Sequence, residues 1–322
     1  MRKRQSHFPQ IALALSFLIG AFSLFSVAFG VQKSYVFNID NPSKRIQETQ
    51  KSSPEEENIF SFNEIEEFVP EARYILQQLG KLGAIKAQSF VVGDLETGEI
   101  IFERKPDTIY PIASITKYMT AFTAAEYLKP NEIAKITREK LAVEGNRGGF
   151  KIGDELSIRS LLFPLLLVSS NDAGEIIAQQ QDRILFIEKM NELSQENGLT
   201  NTFFDDPTGL SKKNVSTGRD LFQMMKVVRD NYPQIVDISK LSLIQIKSYT
   251  WKNINKAALF PEFKGGKTGF TNAARQTSIG YYQIKLANDQ VKNIGVVILQ
   301  SDTRQQDTKN ILDYIKRYVA YL

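Results

Sequence analysis

The chain of 322 residues contains no cysteine and a single histidine, His7, which lies in its N-terminal tail. The absence of cysteine excludes a thiol nucleophile and a cysteine-ligated zinc site. A Ser-His-Asp triad is excluded as well, unless another chain supplies the histidine. Without cysteine there are also no disulfides to indicate the cellular compartment. The chemistry must therefore use other side chains, and no metal or cofactor is expected.

The chain also has little net charge. Its formal net charge is +4, and part of the excess lies in Arg2, Lys3 and Arg4. This balance gives no extended basic surface of the kind that binds nucleic acid, so no nucleic-acid partner is expected. Hydrophobic residues make up 42% of the sequence, which is enough to bury the core of a globular enzyme.

The first 70 residues predict a membrane anchor followed by a linker. Residues 11–31 are uncharged and apolar, and a helix needs roughly 20 such residues to cross a bilayer. Because basic residues precede this run, we expect a cytoplasmic tail at 1–8, a transmembrane signal-anchor helix at 9–31 and an extracytoplasmic remainder. Residues 32–70 are polar and predict a linker to a catalytic domain at 71–322. A cleaved signal peptide, with Ala28 and Gly30 near the cleavage point, is the alternative, and it also exports the domain.

The N-terminal part of this domain predicts a β-hairpin and then a helix. Residues 87–93 and 99–103 are β-rich, and the turn sequence DLETG separates them. A helical pattern follows over 114–127, with Pro111 just upstream.

Further along, the pattern changes from helices back to strands. Residues 131–237 are mostly helix-like, including 161–168 and 173–193. Strands are predicted over 277–286 and 293–299, and a closing amphipathic helix over 307–322. We therefore expect an α/β fold of the α+β type, in which both ends of the domain build one antiparallel sheet, helices flank it, and a separate lobe is all-helical.

A serine and a lysine begin the first predicted helix, in the sequence Ser114-Ile115-Thr116-Lys117. Residues three apart on a helix share a face, so the Lys117 amine can reach the Ser114 hydroxyl. A neutral lysine could accept the serine proton, and we expect burial and the charge of Lys267 to depress the Lys117 pKa. An isolated S-x-x-K sequence is common, and its ordinary interpretation is a solvated helix start.

Two further polar sequences lie downstream. Ser169-Ser170-Asn171 follows an apolar run, and its members could cap the next helix, or Ser169 could relay a proton while Asn171 binds a substrate amide. Lys267-Thr268-Gly269 precedes the predicted strands. On an edge strand, Gly269 would let a substrate backbone approach closely, while Lys267 and Thr268 would face a carboxylate. The alternative is an ordinary turn before a strand.

Taken together, S-x-x-K, S-x-N and K-T-G in this order are the motif set of penicillin-binding proteins and β-lactamases. From about residue 87 onward the chain resembles the D-alanyl-D-alanine carboxypeptidase family, the low-molecular-mass penicillin-binding proteins. The resemblance lies in YPIASITKYMTA, LLLVSSNDAGEIIA, DDPTGLSKKNVSTGRDL and GGKTGFTNAA.

This resemblance implies a penicillin-binding-protein fold and a serine peptidase acting on peptidoglycan stem peptides, with β-lactam antibiotics as covalent inhibitors. It implies that Ser114 forms the acyl-enzyme and Lys117 is the general base. The resemblance also assigns the cleft and the substrate contacts to Ser169, Asn171, Lys267, Thr268 and Gly269. The backbone N–H groups of Ser114 and Phe270 would form an oxyanion hole, and Arg304 would contact a carboxylate.

The sequence departs from the family at three places. Phe270 stands where a histidine is usual and Arg275 where a glycine is common, and no second β-rich domain precedes Leu322. The first departure leaves a backbone N–H in place, which is all that an oxyanion hole requires.

Several alternatives share these motifs. A class A β-lactamase would need a deacylating Glu, and the corresponding stretch FFDDPTGLSKK contains none, although Asp205 and Asp206 lie there. A D,D-endopeptidase that cuts cross-links would use the same residues as a carboxypeptidase. A non-catalytic muropeptide-binding protein has no need of a lysine beside a serine, which favours an enzyme.

Overall fold

The computed structural model describes residues 73–322. The predicted tail, anchor and linker at 1–8, 9–31 and 32–70 lie outside these residues. Among the helices of residues 73–322, none is both long and apolar enough to cross a membrane.

The described residues contain both strands and helices. The strands are β1 (Tyr74–Leu76), β2 (Ser89–Asp94), β3 (Ile100–Arg104), β4 (Tyr110–Pro111), β5 (Ile133–Lys135), β6 (Glu155–Ser157), β7 (Val215–Ser216), β8 (Leu243–Ile246), β9 (Tyr249–Lys252), β10 (Phe263–Thr271), β11 (Arg275–Lys285), β12 (Val291–Ser301) and β13 (Val319–Tyr321). The helices are α1 (Thr116–Tyr127), α2 (Ile158–Leu167), α3 (Asn171–Ala178), α4 (Arg183–Glu196), α5 (Gly218–Asn231), α6 (Pro233–Lys240) and α7 (Arg304–Tyr318), with short 3-10 helices at Ala113–Ile115 and Lys256–Leu259.

One five-stranded antiparallel sheet forms the centre of the domain, in the order β10-β11-β12-β2-β3. The predicted hairpin supplies β2 and β3, and the C-terminal part of the chain supplies the other three strands. The prediction of a sheet built from both ends is therefore confirmed, and β10, which carries the K-T-G sequence, is an edge strand.

Alternation along the strands gives the sheet two buried faces. On β2, Val91 points into the core shared with the helical lobe, whereas Phe90 and Val92 point into the core beneath α7. Helix α5 packs against β12 and β2 on the first side, and α7 packs against β11 and β12 on the second. The sheet is thus held rigidly between helices, with its β10 edge left to form a cleft.

One predicted helical segment of the lobe forms two helices. The segment 173–193 is divided between α3 and α4, because the Asp182 side chain accepts hydrogen bonds from the backbone N–H groups of Ile184 and Leu185 and starts a new helix. At the C-terminus, α7 ends at Tyr318 rather than at residue 322. The last residues form β13, which pairs with β1.

Candidate active site

The turn that carries Ser114 is strained. Ser114 lies in the 3-10 helix that leads into α1, and Ala113 before it has φ of 50°, in the left-handed region. The Thr116 hydroxyl donates to the Ala113 carbonyl at 2.8 Å, and the Thr277 hydroxyl on β11 donates to the Ile112 carbonyl at 3.0 Å. These contacts hold the serine at a fixed position between α1 and the sheet, which is where strain is tolerated for function.

Lys117 lies directly beside the serine, on the first turn of α1. Its Nζ is 3.1 Å from the Ser114 Oγ and 2.6 Å from the Asn171 Oδ1, and it also donates to the Thr208 carbonyl. The side chain is fully buried. A neutral amine has two N–H groups and a lone pair, so donation to Asn171 and Thr208 would leave the lone pair facing the serine hydroxyl.

Burial lowers the pKa of Lys117 to about 7. The Asp206 carboxylate opposes this shift, and the positive charge of Arg147 adds to it. The expected contribution of Lys267 is not among the main causes, because the pKa of Lys267 is itself well below its ordinary value. Near neutral pH, a substantial fraction of Lys117 can therefore act as a base.

Lys267 contacts the second motif. Its Nζ donates to the Ser169 Oγ at 2.9 Å and to the Thr268 carbonyl at 2.7 Å, and its side chain is almost completely buried. Burial lowers the pKa of Lys267, and the neighbouring Lys117 lowers it further. Ser169 has φ of 57°, so its backbone is also strained. A continuous series of polar groups therefore runs from Ser114 through Lys117 to Asn171, with Ser169 and Lys267 beside it.

Lys267 and Thr268 lie on opposite faces of β10, because successive side chains of a strand alternate. Their contact with a common carboxylate stays a prediction. Lys267 reaches Ser169 in the helical lobe, whereas Thr268 lines a cavity on the other face of β10 together with Arg304.

Gly269 brings β10 into contact with the nucleophile. A Cβ at this position would lie 2.8 Å from the Ser114 backbone nitrogen and 2.9 Å from the Ile112 carbonyl oxygen. Only glycine permits this approach. The next residue, Phe270, leaves 64% of its side chain exposed. The oxyanion hole assigned to the N–H groups of Ser114 and Phe270 stays a prediction, and the strand lies close enough to supply its second donor.

Arg304 links the cleft to the start of α7. Its Nη1 donates to the Gly269 carbonyl at 2.6 Å and to the Thr277 carbonyl at 3.4 Å. Within residues 73–322, its other guanidinium nitrogens have no protein acceptor. The side chain is partly buried beside β10, so it is not an ordinary solvated arginine at a helix start.

Asp205 and Asp206 have structural partners. One Asp206 oxygen accepts from the Thr208 N–H, the Thr208 hydroxyl and the Gly209 N–H, and the other accepts from the Ser211 N–H at 2.6 Å. Asp205 accepts from the Ser211 hydroxyl and pairs with Lys213. Because Asp206 fixes the loop whose carbonyl receives the Lys117 amine, it is not placed as a base for deacylation.

Two contributors to the site were missed by sequence reasoning. The Thr208 carbonyl is a backbone group, so no residue type signals it. Arg147 lies on a loop that is fixed by backbone N–H donation to Asp172 and by the Trp251 Nε1–H, which donates to the Gly148 carbonyl at 2.9 Å. The alternative interpretation of Ser170 as a cap is correct, since its hydroxyl accepts from the Ala173 N–H.

Arg275 also has a structural explanation. It begins β11 with φ of 53°, a conformation that favours glycine, the residue that is common at this position in the resembled family. An ion pair with Asp302 accompanies this strained backbone. In residues 73–322, no cluster of His, Cys, Asp and Glu could hold a metal ion.

The fold is an antiparallel sheet between helices. A serine and a lysine lie together at a helix start, and a second lysine lies on the edge strand. These features define a serine hydrolase of the penicillin-binding and β-lactamase-like class. Residues 76–302 match the D-alanyl-D-alanine carboxypeptidase family, and the chain belongs to this family. It is thus a serine-type D-Ala-D-Ala hydrolase, as the sequence predicted.

Relatives and solved structures agree with this assignment. A D-alanyl-D-alanine endopeptidase of Pseudomonas aeruginosa is 32% identical over 220 residues, covering 64% of this chain and 68% of the relative. The D-alanyl-D-alanine carboxypeptidase DacB2 of Mycobacterium tuberculosis is 32% identical over 205 residues, covering 60% and 69%. A crystal structure of a D-alanyl-D-alanine carboxypeptidase from the same organism superposes with a TM-score of 0.69 at 26% identity, covering 74% of this chain and 94% of that one. Penicillin-binding protein D2 of Listeria monocytogenes, in its cefotaxime-bound form, gives 0.64 at 25% identity, covering 72% and 96%.

Proposed function

We propose that this enzyme removes the C-terminal D-residue from peptidoglycan stem peptides, outside the cytoplasmic membrane. The observation that carries the proposal is the fully buried Lys117 amine at 3.1 Å from the Ser114 hydroxyl, with a pKa near neutrality. Burying an amine costs free energy, and few purely structural roles require an amine to be buried next to a serine.

The reaction follows from these contacts. Neutral Lys117 takes the proton of Ser114 as its Oγ attacks the carbonyl carbon of the penultimate D-alanine. The C–N bond then breaks, and the proton taken up by Lys117 passes through Ser169 to the leaving amine. Water later attacks the ester carbonyl and gives one proton to Lys117, which returns it to the Ser114 oxygen as the C–O bond breaks. Two backbone donors at the oxyanion would each contribute roughly 3 to 4 kcal/mol to stabilising the tetrahedral intermediates.

A contact with the substrate carboxylate supports release of a terminal residue, whose free carboxylate lies next to the cleaved bond. An internal amide with no carboxylate beside it would lack this contact. Arg304 has free N–H donors next to Thr268, one residue from the strand position that touches Ser114. A planar guanidinium can bind a carboxylate through two parallel hydrogen bonds.

A peptide pair tests this contact. One pentapeptide ends in D-Ala-D-Ala and the other is amidated at its C-terminus. We expect the wild type to prefer the free acid by about ten- to a hundredfold, since a charge-assisted hydrogen bond contributes roughly 1.5 to 3 kcal/mol. Arg304→Ala should lose most of this preference. Equal rates on both peptides in the wild type would contradict the carboxypeptidase assignment.

β-Lactams are proposed as covalent inhibitors, and the cefotaxime- and ampicillin-bound forms of the Listeria relative support this. Incubation of the full chain with a fluorescent penicillin should label Ser114, as identified by mass spectrometry of the labelled peptide. Ser114→Ala should be unlabelled while keeping its melting temperature. Label at another residue, or none on folded wild type, would refute the nucleophile assignment.

The same geometry disfavours two alternatives. A β-lactamase would release penicillin quickly, yet Asp206 is occupied by four donors and offers no base for that step. A non-catalytic binding protein would have no use for the lowered pKa of Lys117. We therefore expect a long-lived penicillin adduct.

A further inference from the structure

The loop that carries Arg147 rests against Asn171 of the second motif. The Asn171 Nδ2 donates to the Glu144 carbonyl at 2.6 Å, and the Asn171 backbone N–H donates to the Gly145 carbonyl at 3.4 Å. The Oδ1 of the same side chain accepts a hydrogen bond from Lys117. A single side chain, that of Asn171, therefore lies between this loop and the catalytic lysine.

The loop is also fixed from its other side. The Asp172 carboxylate accepts hydrogen bonds from the backbone N–H groups of Arg147 and Gly148, at 3.4 and 3.2 Å. The Trp251 indole donates to the Gly148 carbonyl at 2.9 Å, and the Phe150 ring packs edge-on against Trp251. These contacts hold the backbone of the loop in place and use no atom of the Arg147 side chain.

The Arg147 guanidinium has no protein partner within residues 73–322, and its side chain is exposed. The neighbouring Asp172 carboxylate accepts instead from backbone N–H groups and from the Ser170 hydroxyl. Exposed arginines without partners are common, but the charge of this one lowers the pKa values of both Lys117 and Lys267. Arg147 therefore places an uncompensated positive charge beside the reaction centre.

Two arginines thus approach Ser114 from different elements. Arg304 comes from the start of α7 and lies beside β10, where it is proposed to meet the leaving carboxylate. Arg147 comes from the loop against α3, next to Asn171. A peptide whose leaving carboxylate binds Arg304 extends away from α7 on the other side of the cleaved bond. Its acyl-donor part, whose amide the motif assigns to Asn171, then passes the loop of Arg147.

Resting on the proposed function, we propose that Arg147 determines specificity for the acyl donor, by binding a carboxylate on the side chain of the residue that precedes the two terminal D-residues. A planar guanidinium suits this group, because it can donate two parallel hydrogen bonds to a carboxylate. The contact is separate from that of Arg304, which meets the leaving residue. Amidation of the donor carboxylate should therefore slow cleavage although the cleaved bond is unchanged.

Two peptides that differ in one side chain test the proposal. Both end in D-Ala-D-Ala with a free carboxylate, and the preceding residue is L-α-aminopimelate in one and its side-chain amide in the other. At low ionic strength, we expect kcat/KM of the full chain to be about three- to tenfold higher for the acid, and added salt should reduce this preference. A preference below about threefold overturns the role of Arg147. Failure to cleave either peptide would instead refute the proposed function.

Variants of Arg147 identify the group that binds the carboxylate. Arg147→Gln should bring the ratio of the two kcat/KM values to about one, whereas Arg147→Lys should keep part of the preference, since the charge remains without the planar fork. Any change in the pKa of Lys117 affects both peptides equally and cancels in this ratio. If Arg147→Gln keeps a preference of about threefold or more, another group binds the carboxylate and the proposal is wrong.

Arg159 provides the matched control. It is also exposed, but it lies at the start of α2, whereas the second motif follows the end of that helix. Arg159→Gln removes the same charge from the protein and should keep the wild-type ratio. Penicillin labelling of Ser114 shows that each variant is folded. A ratio that falls equally in Arg159→Gln and Arg147→Gln would show an effect of net charge and would contradict a contact made by Arg147.

Discussion

At the scale of single residues, the site depends on a lysine that is kept uncharged by its surroundings. Burial is the largest cause of the low pKa of Lys117, and Asn171 and Thr208 accept hydrogen bonds from the same amine. The unfolded chain binds the proton at any pH below about 10.4, whereas the native state binds it only below about 7. Native stability attributable to Lys117 therefore rises with pH between these values, and it is lowest below pH 7.

The rate of penicillin acylation should follow the same titration. We expect it to rise with pH and to level off above an apparent pKa of about 7, because only neutral Lys117 accepts the serine proton. Lys117→Arg keeps the charge but removes the base, and its acylation rate should fall by about two to four orders of magnitude. Stopped-flow acylation across pH 5 to about 9 measures both. A pH-independent rate in wild type, or near-normal acylation by Lys117→Arg, contradicts the role of base.

Arg147 offers a separate way to change this pKa. Its positive charge lowers the pKa values of both Lys117 and Lys267. Arg147→Gln should therefore move the rising limb of the acylation profile to higher pH, while the plateau rate changes less. Arg147→Lys retains the charge and serves as the control. If both variants titrate like the wild type, the Arg147 charge does not reach the site.

At the scale of elements, the strand β10 must touch the nucleophile. Gly269→Ala places a methyl group 2.8 Å from the Ser114 nitrogen and 2.6 Å from the Thr277 hydroxyl, so β10 has to move away from the turn. We expect acylation to fall at least a hundredfold, with a loss of stability of about 1 to 3 kcal/mol from overpacking. Gln283→Ala, an exposed change on β11, is the control. Normal acylation by Gly269→Ala would show that this contact is not needed.

Local patterns predicted much of the architecture. The hairpin of β2 and β3 follows from alternating apolar residues around a turn, and α1 follows from its apolar spacing. The hairpin of β8 and β9 was not predicted, although Tyr249 and Trp251 stack there at 5.3 Å. Each of its strands has only four residues, which leaves a weak alternating pattern. The pairing of β1 with β13 joins distant parts of the chain, and short strands of this kind leave little local signal.

The site was predictable where side chains form motifs, and not where the backbone acts. Ser114, Lys117, Ser169, Asn171 and Lys267 stand in the three motifs, and the structure brings them together. The Thr208 carbonyl lies in a loop held by local bonds to Asp206, but a backbone carbonyl carries no side-chain signal. The loop of Arg147 depends on tertiary contacts to Asp172 and Trp251, which have no fixed spacing in sequence. The shared contact of Lys267 and Thr268 with one carboxylate stays a prediction, although the two side chains lie on opposite faces of β10.

At the scale of the whole molecule, the sequence of the N-terminal segment predicts where the enzyme works. We propose that residues 9–31 anchor it with its catalytic domain outside the cytoplasmic membrane. Fractionation should find the full-length chain in the membrane, and protease added to intact spheroplasts should digest the catalytic domain. A cytosolic control protein must survive the same treatment. A full-length chain in the cytosolic fraction contradicts this topology, whereas an exported chain beginning near Val31 favours a signal peptide.

The division of the central sheet between the two ends of the domain also determines when activity can first exist. Ser114 is made early, but the strand that approaches it begins at Phe263, and the arginine beside that strand is residue 304. A partly synthesised chain has the nucleophile but lacks the three strands that complete the sheet. Contacts so distant in sequence form late and slowly. We therefore expect no reactive serine before these strands have been made, and a chain truncated ahead of Phe263 should be inert rather than weakly active.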